Sequence, residues 1–164
     1  MQEMELLGVR VEMPANAPMV LLRERSGSER TIPIFIGAPE ATAIALALDG
    51  VNTPRPMTHD LLRDVLQDLS VAIERVVVTD LQDKTFFAEL HLVRDGQRHV
   101  ISSRPSDAIA LAVRTGTAIY AADSVIDEVG FSEGDEAADD DRPEEVVEEF
   151  KEFLDTVSPE DFED

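Results

Sequence analysis

Apolar residues recur along the first 130 positions at two different spacings, and then become sparse. Residues 6–11 and 18–23 carry Leu, Val and Met in the short runs that suit β-strands. A polar turn, Arg25-Ser26-Gly27-Ser28-Glu29, follows the second run, and residues 30–36 form a third, so 20–35 is expected to fold as a hairpin. Pro33 cannot donate a ladder hydrogen bond, which puts the third strand at a sheet edge or beside a bulge. Gly37-Ala38-Pro39-Glu40 then suits a helix start, with proline and an acid in the first turn. The helix body over 41–48 is built of Ala, Ile and Leu, small enough to pack closely on more than one side, and Asp49-Gly50 ends it.

A proline-rich loop, 51–57, precedes a second helix over 58–69. Thr58 is its expected N-cap, Met57 and Leu62 are placed for a hydrophobic staple, and Leu61, Leu62, Val65, Leu66 and Leu69 form an apolar stripe. Residues 72–81 are rich in Val and Ile, 85–93 alternate in part, and 97–102 close a hairpin over Arg94-Asp95-Gly96, where Asp-Gly is a strong turn signal. A helix over 105–114, a short strand at 118–121 and a short helix at 124–129 complete the series.

Ala43-Ile44-Ala45-Leu46-Ala47-Leu48 matches Ala108-Ile109-Ala110-Leu111-Ala112-Val113 at an offset of 65. Each run follows a hairpin and precedes a further helix. The expected fold class is therefore α+β: one domain of two pseudo-repeated β-β-α-α units on a mixed or antiparallel sheet, spanning 1–131. At the 65-residue offset Asp107 aligns with Thr42 rather than Glu40, so any site is expected to be asymmetric.

The last 33 residues change the picture. They hold sixteen acids and two bases, within a chain of 164 residues and net charge −21. Residues 132–142 read as an acidic disordered linker. Residues 143–164 read as an acidic helical tail, with Val146, Val147, Phe150, Phe153, Leu154 and Val157 on one side. A chain charged this way repels nucleic acid except where a local cation or metal overrides the field. It is not expected to be a tight general binder of nucleic acid.

The absence of cysteine excludes disulfides, thiolate metal sites and cysteine nucleophiles. His59, His91 and His99 are the only histidines, and the last two fall on neighbouring strands, which argues against a three-histidine metal site. The acidic N-terminus shows no signal peptide and no apolar run is long enough for a membrane span, so the expectation is a cytoplasmic protein with no membrane role.

Two clusters carry candidate chemistry. In the first, Arg55, Thr58, His59 and Asp60 stand at a helix start. Backbone N–H groups and Thr58 there suit an anion, Arg55 adds a cation, His59 moves protons near neutrality, and Asp60 offers oxygen to a divalent cation. In the second, Ser103, Arg104, Ser106 and Asp107 gather around Pro105 at a strand-to-helix junction, which suits phosphate or a metal-bound water. Glu40 is a third acid at a helix start. All of these residues also read as ordinary caps and first-turn acids. Neither serine sits in a nucleophile elbow, and glycine-rich phosphate loops and zinc-ligand spacings are absent.

Three segments resemble those of the bifunctional nuclease domain family, in order. They are Pro33-Ile34-Phe35-Ile36-Gly37 with Glu40-Ala41, Arg55-Pro56-Met57-Thr58-His59-Asp60-Leu61-Leu62, and Ser103-Arg104-Pro105-Ser106-Asp107-Ala108-Ile109-Ala110-Leu111-Ala112. The resemblance runs from about residue 3 to 131. It implies a compact α+β protein that forms at least a dimer, and relatives in plants that cleave RNA and DNA.

Two functions follow as expectations. One is a metal-assisted phosphodiester hydrolase. Its catalytic residues are His59, Asp60 and Asp107; Mg²⁺ or Mn²⁺ sits on Asp60, Asp107 and Glu40; and substrate contacts come from Arg55, Thr58, Ser103, Arg104 and Ser106. The other is a non-enzymatic oligomeric binding or regulatory protein whose acidic tail docks to a basic partner protein.

Overall fold

A computed structural model describes residues 1–132. The linker and helix expected over 132–164 lie outside the described residues, apart from Ser132. The elements in chain order are β1 (Gln2–Glu12), β2 (Ala17–Glu24), β3 (Thr31–Phe35), α1 (Ala38–Leu48), α2 (Thr58–Asp68), β4 (Ala72–Gln82), β5 (Thr85–Arg94), β6 (Gln97–Ser103), α3 (Pro105–Thr115), β7 (Ile119–Ala121) and α4 (Asp123–Val129). The result is an α+β domain with a seven-stranded mixed sheet and four helices.

Strand order is β3-β2-β1-β7-β4-β5-β6. Every neighbouring pair is antiparallel except β4 and β7. Two three-stranded meanders, β1-β2-β3 and β4-β5-β6, thus lie on either side of the short β7, each followed by a helix. The expected β-β-α-α unit is contained in each half, as β2-β3-α1-α2 and, with β7 interposed, β5-β6-α3-α4. Pro33 lies on an edge strand, where its missing N–H costs no ladder bond.

Alternation along the strands feeds one core. Val20 and Leu22 of β2 and Ile32 and Ile34 of β3 are buried two residues apart, and on the central β4 Val76, Val77 and Val78 are all buried. The alanine run of α3 is explained by burial on all sides: Ala108 to Ala112 are enclosed against α1, α2, β4 and β5. Alanine is the side chain that lets a helix approach that many neighbours and keep high helix propensity.

α2 is placed the opposite way. Of its apolar stripe only Leu66 packs on the core; Leu61, Leu62, Val65 and Leu69 are exposed. Its polar residues His59, Asp60 and Arg63 are the more enclosed ones. The N-cap is Met57, one residue before the expected Thr58, because the Asp60 carboxylate accepts the Met57 N–H at 3.0 Å and fixes the first turn there. Met57 and Leu62, the expected staple, are both exposed.

Candidate active site

α1, α2 and α3 each begin with an extended N-cap residue and place an acid three residues later. The N-caps are Gly37, Met57 and Arg104, and the acids are Glu40, Asp60 and Asp107. An acid at this position faces the unpaired N–H groups of the first turn and the positive end of the helix dipole. The helix starts therefore make Glu40 and Asp107 equivalent, at an offset of 67. The 65-residue match of the alanine runs hid that correspondence by two positions.

The three starts converge. His59 Nε2 lies 2.8 Å from Asp107 Oδ1, joining α2 to α3 across 48 residues of chain. Arg104 donates from Nε to Asp107 Oδ2 at 2.7 Å and from Nη2 to Oδ1 at 3.0 Å, and its Nη1 donates to Glu40 Oε1 at 3.1 Å. One guanidinium thus holds the acids of α1 and α3. Burial pushes the Asp107 carboxyl up, but the hydrogen bonds from Arg104 and His59 outweigh it and leave the group below the usual aspartate range. Asp107 and Glu40 in turn raise the Arg104 guanidinium, which stays charged.

Gly37 makes room for this arrangement. A Cβ there would lie 2.2 Å from Glu40 Oε2, because the Glu40 carboxylate folds back over the start of α1. The cleft between the starts, about 260 Å³, is lined by Glu40, Met57, Thr58, His59, Arg104 and Asp107, among others.

Asp60 is turned away to a different task. Arg114 Nε donates to its Oδ1 at 2.7 Å, and Arg114 also reaches the Ala110 carbonyl at 2.8 Å and the Ala43 carbonyl at 3.0 Å. With 5 % of its side chain exposed, Arg114 is a buried clamp across α1, α2 and α3. The bonds from Arg114 and from the Met57 N–H hold the Asp60 carboxyl below its ordinary value. Arg114 is not among the residues the sequence pattern singles out. The available signal was a lone cation in the last turn of an otherwise apolar alanine helix.

The remaining candidates scatter. Arg55 is exposed in the loop before α2, and Thr58 is an exposed residue on the cleft wall. Ser103 Oγ is buried with no hydrogen-bond partner among the described residues. Ser106 is buried and lines a neighbouring recess rather than the cleft. Among the described residues, no three His, Asp or Glu side chains stand together in a group suited to a metal ion. Glu40 and Asp107 do share one cationic centre, the Arg104 guanidinium.

An α+β domain with a histidine–carboxylate pair and a guanidinium in one cleft is suited to acid–base chemistry on an anionic substrate. The family model described as the bifunctional nuclease domain matches residues 20–134, and the chain belongs to that family. The uncharacterized protein Rv1829 of Mycobacterium tuberculosis is 47 % identical over 165 residues, covering 99 % of this chain and 98 % of the relative. Bifunctional nuclease 2 of Arabidopsis thaliana is 29 % identical over 107 residues, and bifunctional nuclease 1 of Oryza sativa subsp. japonica 25 % over 112. These alignments cover 62 % and 66 % of this chain but only 32 % and 33 % of the plant proteins, about a third of their length. Among the described residues no helix is long and apolar enough to cross a membrane.

Proposed function

We propose that the chain hydrolyses phosphodiester bonds of nucleic acid, with the cleft at the three helix starts as its active site. The observation that carries this reading is the 2.8 Å contact between His59 and Asp107, formed by two segments remote in sequence and flanked by Arg104. Asp107 orients the imidazole through Nε2. Nδ1 makes no hydrogen bond among the described residues, so it is free to take a proton from water or give one to a leaving oxygen. Arg104 is 64 % exposed and bidentate on a carboxylate, a geometry that transfers to a phosphate. It is the exposed cation on the cleft wall, and it is shared between Asp107 and Glu40.

Glu40 and Asp107 are the residues that would hold Mg²⁺ or Mn²⁺, in exchange for the contacts they now make with Arg104, which would leave that guanidinium to the phosphate. Such an ion would stabilise charge on the phosphate and activate water. Asp60, paired with Arg114, contributes by fixing the start of α2 and hence His59. The test is cleavage of single-stranded RNA and DNA, with and without divalent cation, by the wild-type protein and by H59A and D107A. The proposal expects both substitutions to lower the rate by about 100-fold or more. Activity untouched by either one rejects the site.

A homo-oligomer belongs to the same reading. α2 exposes Leu61, Leu62, Val65 and Leu69 on one contiguous turn-to-turn face, the kind of patch that marks a protein contact. A second copy with the same helix covers it through a self-complementary twofold interface. The alternative of a non-enzymatic binding protein rests on the acidic tail, outside the described residues, and is tested by deleting residues 132–164.

A further inference from the structure

Beside the cleft lies a second recess of about 280 Å³, bounded by the end of β3, the β4–β5 turn and the start of α3. Its walls include Phe35 and Phe86, its rim carries Lys84, and Arg104 lines both this recess and the cleft. Phe35 is 54 % exposed although it ends a strand whose other apolar residues are mostly buried. Lys84 sits with Asp83 in a two-residue turn where both have positive φ, 48° and 63°. Glycine is the usual occupant of the second position in such a turn, yet a lysine stands there.

Ser106 supplies an independent observation. It is only 6 % exposed and lines the recess, and its hydroxyl has no hydrogen-bond partner among the described residues. It sits in the first turn of the eleven-residue α3, whose N-cap Arg104 makes no side-chain cap to the helix. N–H groups of that turn are therefore unclaimed by a cap.

We infer that this recess binds the nucleotide unit next to the scissile phosphate, as a flanking subsite of the cleft. The base lies against Phe35 and Phe86, an interaction open to any base because every base has a π-face. The adjoining phosphate is taken by Lys84, the Ser106 hydroxyl and the start of α3, and Arg104 spans this phosphate and the scissile one. The subsite rests on the nuclease reading but is separable from it, because it governs binding of a longer chain rather than the proton transfers at His59.

The experiment is equilibrium binding without turnover. A fluorescein-labelled 2′-O-methyl phosphorothioate tetranucleotide is titrated in EDTA against the full-length wild-type protein, H59A, F35A, K84G and S106A. The subsite expects F35A and K84G to weaken binding tenfold or more relative to wild type, the alanine change removing one base stack. K84G also raises Tm, because glycine relieves the turn, so weaker binding by that variant cannot be ascribed to unfolding. In a competition arm, 5′-AMP displaces the probe at a lower concentration than inorganic phosphate does.

Equal binding by all variants overturns the subsite and leaves cleavage at His59 to be judged by its own assay. No binding by wild type, or equal competition by phosphate and 5′-AMP, also overturns it. Loss of cleavage in H59A together with weaker tetranucleotide binding by F35A and K84G supports the subsite and the nuclease reading together.

Discussion

Arg114 is the residue whose removal tests the architecture of the site most severely. It is buried, it ties Asp60 to α3, and it reaches a carbonyl of α1. Arg114→Ala leaves the Asp60 carboxylate without its cation and loses two carbonyl contacts. Breaking a buried ion pair from one side costs about 3–5 kcal/mol. Asp60 retains 21 % exposure and regains some hydration, so the lower end, about 3 kcal/mol, is the expected cost. At roughly 4 °C per kcal/mol for a domain of this size, Tm falls by about 12 °C.

The assay is thermal unfolding followed by circular dichroism, run as a double-mutant cycle with Asp60→Leu and Arg114→Met. The double variant is expected to recover much of the loss, because apolar replacement of a buried pair is often nearly neutral. A drop in Tm below about 3 °C for Arg114→Ala, or additive effects of the two single changes, refutes the clamp.

The other expectations follow from the same contacts. Gly37→Ala puts a Cβ where the Glu40 carboxylate lies, so Glu40 swings off Arg104; cleavage is expected to fall tenfold or more while stability changes by less than about 1 kcal/mol, measured by urea unfolding. If the proposed twofold contact on α2 forms, Leu61→Glu with Val65→Glu is expected to lower the sedimentation coefficient to that of a monomer, and a coefficient equal to that of the wild type refutes this face as the interface. The carboxyls of Asp60, Asp107 and Glu24 are all lowered in the folded state, the last by hydrogen bonds from Arg30. Their stabilisation is therefore complete above the unfolded values near pH 4 and is lost as pH falls through the folded ones. Tm measured from pH 6 to pH 2 should drop below about pH 4, and Asp60→Asn should flatten that drop; a Tm independent of pH across this window contradicts the pairings.

Much of the fold was legible because strand and helix periods differ and the turns were marked. Asp95-Gly96 sits in the β5–β6 turn with φ of 50° and 75°, the conformation its sequence favours. Pro33 foretold an edge strand. The β4–β5 turn was harder to see, since Asp83-Lys84 holds positive φ without glycine and only the surrounding sheet imposes it.

At the site, His59 and Asp107 were visible as chemistry-bearing residues, but their contact was not. It depends on how α2 packs, and the hydrophobic stripe of α2 points away from the domain that positions it. Amphipathicity therefore gave no guide to its orientation. The equivalence of Glu40 and Asp107 was masked because the alanine runs align two residues out of step with the helix starts. Arg114 stayed hidden for a third reason: a cation in a last helical turn is ordinary, and its burial comes from α1 and α2, both remote in sequence.

The proposed active site requires that Asp107 orient His59 in a cleft that receives nucleic acid. The most direct measurement is ¹⁵N NMR of the imidazoles, assigned with His91→Gln and His99→Gln, as a short hydrolysis-resistant oligonucleotide is added. The expected result is a His59 ring protonated on Nε2 toward Asp107, whose Nδ1 resonance shifts on titration and whose tautomer is lost in Asp107→Asn. A His59 ring protonated on Nδ1, or resonances indifferent both to the oligonucleotide and to Asp107→Asn, contradicts it.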